Sequence, residues 1–128
     1  MRNLEKVVYF SSIFEPRGVF LPKSRARVAS TDRGFMLGYG VYEVIRSYGG
    51  RLFKVCEHLA LLSHSLAAVR IACSKPERLV HVARELIRRN QLLEAHAVVY
   101  VQVTRGVPER QLRFPNQTVP SGRGDIRP

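Results

Sequence analysis

Val41-Tyr42-Glu43-Val44-Ile45-Arg46-Ser47-Tyr48-Gly49-Gly50-Arg51-Leu52-Phe53-Lys54 is the stretch that decides the fold. Its first eight residues alternate, placing Val41, Glu43, Ile45 and Ser47 on one face and Tyr42, Val44, Arg46 and Tyr48 on the other. A period of two, with β-branched and aromatic residues, predicts a strand. Gly49-Gly50 accepts the positive φ of a two-residue hairpin turn, so residues 51–54 are expected to return antiparallel.

Downstream the period changes. Leu59, Leu62, Leu66 and Val69 recur at helical spacing and predict an amphipathic helix over residues 57–72. Ser74-Lys75-Pro76-Glu77 then has the form of a capping box with proline in the first turn, opening a second helix. Its apolar stripe is Leu79, Val82, Ala83, Leu86 and Ile87, and Arg88, Arg89 and Asn90 close it. Residues 96–104 hold few charges and predict a strand buried on both faces or placed centrally. Upstream, residues 6–10 and 19–21 predict short strands, residues 26–29 a further one, residues 11–18 a loop, and Asp32-Arg33-Gly34 a sharp turn. Strands, a hairpin, two helices and a strand make an α+β domain, a largely antiparallel sheet with two helices packed on one face.

Composition narrows the function classes. The 128 residues are 45% hydrophobic and 24% charged, an ordinary globular mixture for one domain or part of a larger one. No apolar run approaches the roughly 20 residues of a membrane helix, and the first six residues lack a signal-peptide core, so the cytoplasm is the expected location. Cys56 and Cys73 form no CxxC pair and suggest no disulfide framework. His58, His64, His81 and His96 include no HxxxH pair, so no metal site is expected. The net charge of +11 raises nucleic-acid binding as a reading. Its arginines are scattered from Arg2 to Arg127, however, with no aromatic platform between them, which favours ordinary solvated charge over a nucleic-acid partner. Arg123-Gly124-Asp125 spells an adhesion tripeptide and is read as a chance match.

The segment from Asp32-Arg33-Gly34 through Gly38-Tyr39-Gly40 to Val41-Tyr42-Glu43-Val44-Ile45-Arg46 resembles the DRGxxxGDGVYEVIR signature of D-amino-acid aminotransferases. These belong to class IV, fold-type IV, of the pyridoxal-phosphate enzymes. The resemblance continues in order through Tyr48-Gly49-Gly50-Arg51-Leu52-Phe53, Glu57-His58-Leu59, residues 65–71 and 85–90, and Val101-Gln102-Val103-Thr104-Arg105-Gly106, to Arg110 and Phe114-Pro115. It implies that residues 1–119 are the N-terminal small domain of a homodimeric enzyme and residues 120–128 an irregular tail. It also implies transfer of an amino group between D-amino acids and 2-oxo acids, with the cofactor as electron sink. Branched-chain aminotransferases and aminodeoxychorismate lyases share that fold and are the alternatives within it. A small basic module binding nucleic acid or protein is the alternative outside it.

Carried over by the resemblance, Tyr42 and Arg110 are the substrate-binding residues, a phenol and a planar bidentate donor that together hold a carboxylate. Glu43 and His58 match motif positions without an assigned step. The arginine that grips the cofactor phosphate in the family is Leu61 here, a loss of about 1.5–3 kcal/mol of charge-assisted contact. A second carboxylate-binding position, histidine in the family, is Leu112, and the family's Gly-Asp-Gly is Gly38-Tyr39-Gly40. Residues 11–16 replace the family's Asn-Gly turn, and the sequence after Pro120 departs from the strand expected there. None of Lys6, Lys23, Lys54 and Lys75 matches the Schiff-base lysine, so the chain is expected to be a truncated or degenerate form that neither binds pyridoxal phosphate alone nor transaminates. An apolar face that the second domain would cover is expected to drive self-association.

Overall fold

The computed structural model describes residues 5–11, 17–73, 75–107 and the backbone of 119 and 120. Ser74, Arg110, Leu112 and the adhesion tripeptide lie outside the described residues, as does most of the loop at residues 11–18.

The centre of the molecule is one long antiparallel ladder. Strand β3 (Gly40–Tyr48) pairs with β6 (His96–Thr104) over nine residues, from Gly40↔Thr104 to Tyr48↔His96. Gly49 and Gly50 turn at φ 55° and 78°, both in the left-handed region, and feed the short β4 (Arg51–Leu52) on the other side of β3. Beyond Phe53 the hairpin ends, because Lys54 adopts φ 48° and caps the next helix. Strands β1 (Val7–Phe10) and β2 (Val19–Pro22) form a separate antiparallel pair.

One face of the ladder is covered. Helix α2 (Val55–Ala68) lays Leu62 and Leu66 against Val41, Val101 and Val103. Helix α3 (Arg78–Arg89) lays Ala83 and Ile87 against Val99 and Leu52. Each fully buried aliphatic side chain contributes roughly 1.5–3 kcal/mol. The helices therefore fix which face of the sheet points inward, since a one-residue slip would turn Ile45 and Val99 to solvent.

Four local expectations change. The first helix runs from Val55 to Ala68, because Arg70 at φ 53° breaks it and starts β5 (Ile71–Ala72). The second begins at Arg78, after a turn in which the Arg78, Leu79 and Val80 amides each donate three residues back. The Asp32 turn is a short helix, α1 (Arg33–Leu37). The Asp32 carboxylate caps it by accepting from the Gly34 amide at 2.7 Å, and Gly38 at φ 67° ends it. Residues 26–29 form no strand; they follow a 3-10 turn (Lys23–Arg25) and leave Val28 exposed. The tail also contributes structure, since β7 (Val119–Pro120) pairs parallel with β5.

Two polar clasps tie the periphery to this core. Asp32, fully buried, accepts the Thr104 hydroxyl at 2.9 Å, and the Arg33 amide donates to the Gly106 carbonyl at 2.8 Å. A side chain at Gly34 would meet Thr104 at 2.3 Å, so this approach requires glycine. At the other end, the Asn90 side chain accepts from the Val7 amide and donates to its carbonyl, both at 2.9 Å, holding β1 to the end of α3.

Candidate functional site

The low charge of β6 predicts burial on both faces or a central place, and one of its faces is open. Alternation along the ladder sends Tyr42, Val44, Arg46 and Tyr48 of β3, with His96, Val98, Tyr100 and Gln102 of β6, to the side away from the helices. Tyr42 is 64% exposed, Tyr100 58% and Val98 55%. The Tyr42 and Tyr100 rings stack with centroids 5.7 Å apart and planes 17° apart. Tyr48 meets Phe53 and His96 edge-on at 5.8 and 5.2 Å. So open an apolar and aromatic face has the character of an interaction surface more than of an ordinary solvated one.

The reverse face holds the motif's polar pair. The Glu43 carboxylate lies 2.9 Å from His58 Nδ1 in the first turn of α2, the two side chains 19% and 25% exposed. It joins β3 to α2 from within and points away from Tyr42. Leu61, one turn further along α2, is 56% exposed. Tyr39 finds a new partner: the buried Arg105 guanidinium sits 4.8 Å from its ring centroid. Burial above all, and then the neighbouring Arg33 and Arg70 charges, lower the Arg105 pKa, while Arg105 donates to the Val69 carbonyl.

This combination of hairpin, motif and helices has close parallels among known proteins. D-alanine aminotransferase of Staphylococcus aureus (strain MSSA476) is 39% identical over 103 residues, which cover 80% of this chain and 36% of that protein. D-alanine aminotransferase of Bacillus licheniformis is 40% identical over 98 residues, covering 76% of this chain and 34% of that protein. No family model matches the chain. The chain carries the small-domain fold of the fold-type IV aminotransferases. It spans about a third of the length of the curated relatives it matches. The T.th. branched-chain amino acid aminotransferase, solved with pyridoxamine 5'-phosphate, superposes with a TM-score of 0.75 at 20% identity, over 92% of this chain and 38% of that one. The Escherichia coli branched-chain enzyme gives 0.72 at 21% identity, over 92% and 39%. At such identity these two establish the fold.

Within the aminotransferase frame, Tyr42 lies on the open face with its phenol accessible, and Arg110 lies outside the described residues. Tyr100 is not singled out by the sequence; the register with β3, which pairs it with Val44, is what places it beside Tyr42. Pyridoxal phosphate requires an amine and a cradle of donors for its phosphate. Leu61 has no donor, and Lys54 stands at the start of α2 with Nζ 5.6 Å from the Phe53 ring centroid. The described residues do not fit the phosphate of that cofactor at the position where the family holds it.

Proposed function

We propose that this chain supplies the substrate-facing small domain of a D-amino-acid aminotransferase site while leaving the cofactor to be anchored by residues outside it. The substrates are a D-amino acid and a 2-oxo acid, whose shared carboxylate Tyr42 and Arg110 hold. The setting is a cytoplasmic homodimer. The observation that carries this reading is the exposure of Tyr42, stacked on Tyr100, in a chain 39% identical to a D-alanine aminotransferase over 103 residues. A phenol on an open sheet face is free to donate to a carboxylate, whereas one packed inward is not.

The chemistry left to this chain is recognition. Tyr42 and Arg110 would orient the substrate by its carboxylate, and the Tyr100 ring would exclude water from one side. A chimera tests this, in which residues 1–119 replace the corresponding part of the staphylococcal relative. Weak D-alanine transamination is expected at saturating pyridoxal phosphate, with the cofactor requirement reduced about tenfold or more by Leu61→Arg. A folded chimera that stays inactive even as the Leu61→Arg variant would sink the proposal. So would one that binds the cofactor as tightly with Leu61 as with arginine.

A further inference from the structure

Helix α3 packs Ala83 and Ile87 against the sheet and Leu79 against the core beneath α2. Its opposite side is basic. His81, Arg84 and Arg88 recur at i, i+3 and i+7 as one row, and Arg78, Glu85 and Arg89 at i, i+7 and i+11 as the row beside it. His81 and the four arginines are exposed, and a rise of about 1.5 Å per residue spreads Arg78 and Arg89 over about 16 Å.

Glu85 is the only acid within the helix. Its oxygens accept from Arg88 Nε and Nη2 and from Arg89 Nε at 3.0, 2.6 and 2.7 Å, a minority of the N–H donors those guanidiniums carry. Glu85 therefore fixes two side chains without cancelling the face, since one carboxylate stands against four guanidiniums. Strand β2 extends the surface. Arg78 Nη2 donates to the Arg17 carbonyl at 3.3 Å, which brings exposed Arg17 to the rim from 61 residues away. The Arg89 guanidinium lies 4.3 Å from the Phe20 ring centroid. Sequence order scatters these five arginines; the packing of α3 beside the β1–β2 pair collects them.

The character of the face selects among anionic partners. A helix that lies in a membrane surface needs a free apolar side, and α3 commits its own to the core. A protein interface has an apolar centre, and among the described residues none of the large exposed apolar side chains belongs to α3 or β2. A single strand stacks its bases on open rings, and Phe20 lies under Arg89. A duplex backbone asks only for repeated positive charge, because it carries one negative charge per about 1.7 Å of axis.

We propose that the outer face of α3, with Arg17 at its rim, docks the phosphate backbone of a nucleic-acid duplex without reading its sequence. Arg78, Arg84, Arg88 and Arg89 each meet a phosphate, as planar donors suited to its oxygens.

Fluorescence anisotropy of a mixed-sequence DNA duplex of about 20 base pairs, titrated with the 128-residue chain at a series of salt concentrations, tests this. Four phosphates give a slope of about −3.6 in log affinity against log salt, so binding should weaken about a hundredfold between about 50 and 200 mM. Combining Arg78→Gln, Arg84→Gln and Arg88→Gln should cut that fall to less than about tenfold, whereas Arg78→Lys, Arg84→Lys and Arg88→Lys together should keep it. Arg46→Gln, Arg51→Gln and Lys54→Gln, which remove the same charge from the β3–β4 hairpin, should also keep it. An equal change in the two glutamine triples would overturn the proposal, because the net charge of +11 and not this face would then hold the duplex. So would poly-glutamate that competes as well per charge as the duplex, which would assign the face to an acidic protein. Absence of binding at about 50 mM salt, with the fold intact by circular dichroism, would overturn it too.

Discussion

The two faces of the β3–β6 ladder share one backbone and one alternation, yet they have opposite fates. Inward, Ile45, Ser47 and Val99 are buried beneath α2 and α3. Outward, Tyr42, Val44, Val98 and Tyr100 are also largely apolar and remain open. Hydrophobicity alone does not separate them; the presence of a helix does. The inner face commits its apolar side chains to folding, while the outer face leaves them exposed. Substitutions should therefore split by parity along the same strand.

The largest effect belongs to the inner face. Leu62→Ala removes a side chain that is 1% exposed between Leu66, Ile71, Val41 and Val101, and should cost about 2–5 kcal/mol in urea unfolding. A loss under about 1 kcal/mol would mean that α2 does not define the buried face.

Ser47 sharpens the comparison with the opposite sign. It is fully buried, and among the described residues its hydroxyl has no hydrogen-bond partner. Ser47→Ala removes that desolvated group and should raise stability by about 1 kcal/mol. Destabilisation would indicate a partner for the hydroxyl and make this end of the inner face polar by design.

Tyr42→Ala, one residue from two inward positions, should leave the unfolding free energy within about 0.5 kcal/mol. In the chimera it should raise KM for D-alanine with the fold unchanged. A stability loss as large as that of Leu62→Ala would show the outer face to be packed like the inner one.

Much of this contrast was legible in the sequence. The alternation of residues 41–48 and the Gly49-Gly50 turn fix the hairpin and its parity, and the leucine spacing fixes α2. What stayed hidden depends on neighbours. Residues 97–103 are apolar at every position but Gln102, so their local pattern cannot tell a strand buried twice from one with a covered and an open side. Only the register with β3 assigns Tyr100 and Val98 outward. The end of α2 turns on Arg70 at φ 53°, a conformation that no propensity scale gives to arginine. Asp32 was legible as a turn residue but not as a buried cap, since its second partner, Thr104, lies 72 residues away. The Tyr42 site was visible through its motif, whereas its stacking partner was not.

The smallest effect comes from a place that belongs to neither face, the solvent side of α3. Glu85 accepts from Arg88 Nε at 3.0 Å, from Arg88 Nη2 at 2.6 Å and from Arg89 Nε at 2.7 Å. The Arg88 hydrogen bonds first, and those of Arg89 second, hold its carboxyl down to about 2 from an ordinary 4.5. A carboxylate depressed in the folded chain stabilises it fully above its unfolded pKa, and the contribution fades as pH falls from about 4.5 towards about 2. The Glu85 side chain is 20% exposed and its Arg88 and Arg89 partners 61% and 42%, so water and salt reach the cluster, screen the interaction and leave a slight effect. The urea midpoint should therefore fall a little more steeply with acid in the unmutated chain than in Glu85→Gln, and the difference should vanish near 1 M salt, where screening acts within about 3 Å. Glu5, also depressed through its hydrogen bonds with Ser24, remains in both proteins and cancels from the comparison. Identical acid slopes would show that the outer side of α3 adds nothing to stability, leaving its inward stripe as the whole reason the helix lies where it does.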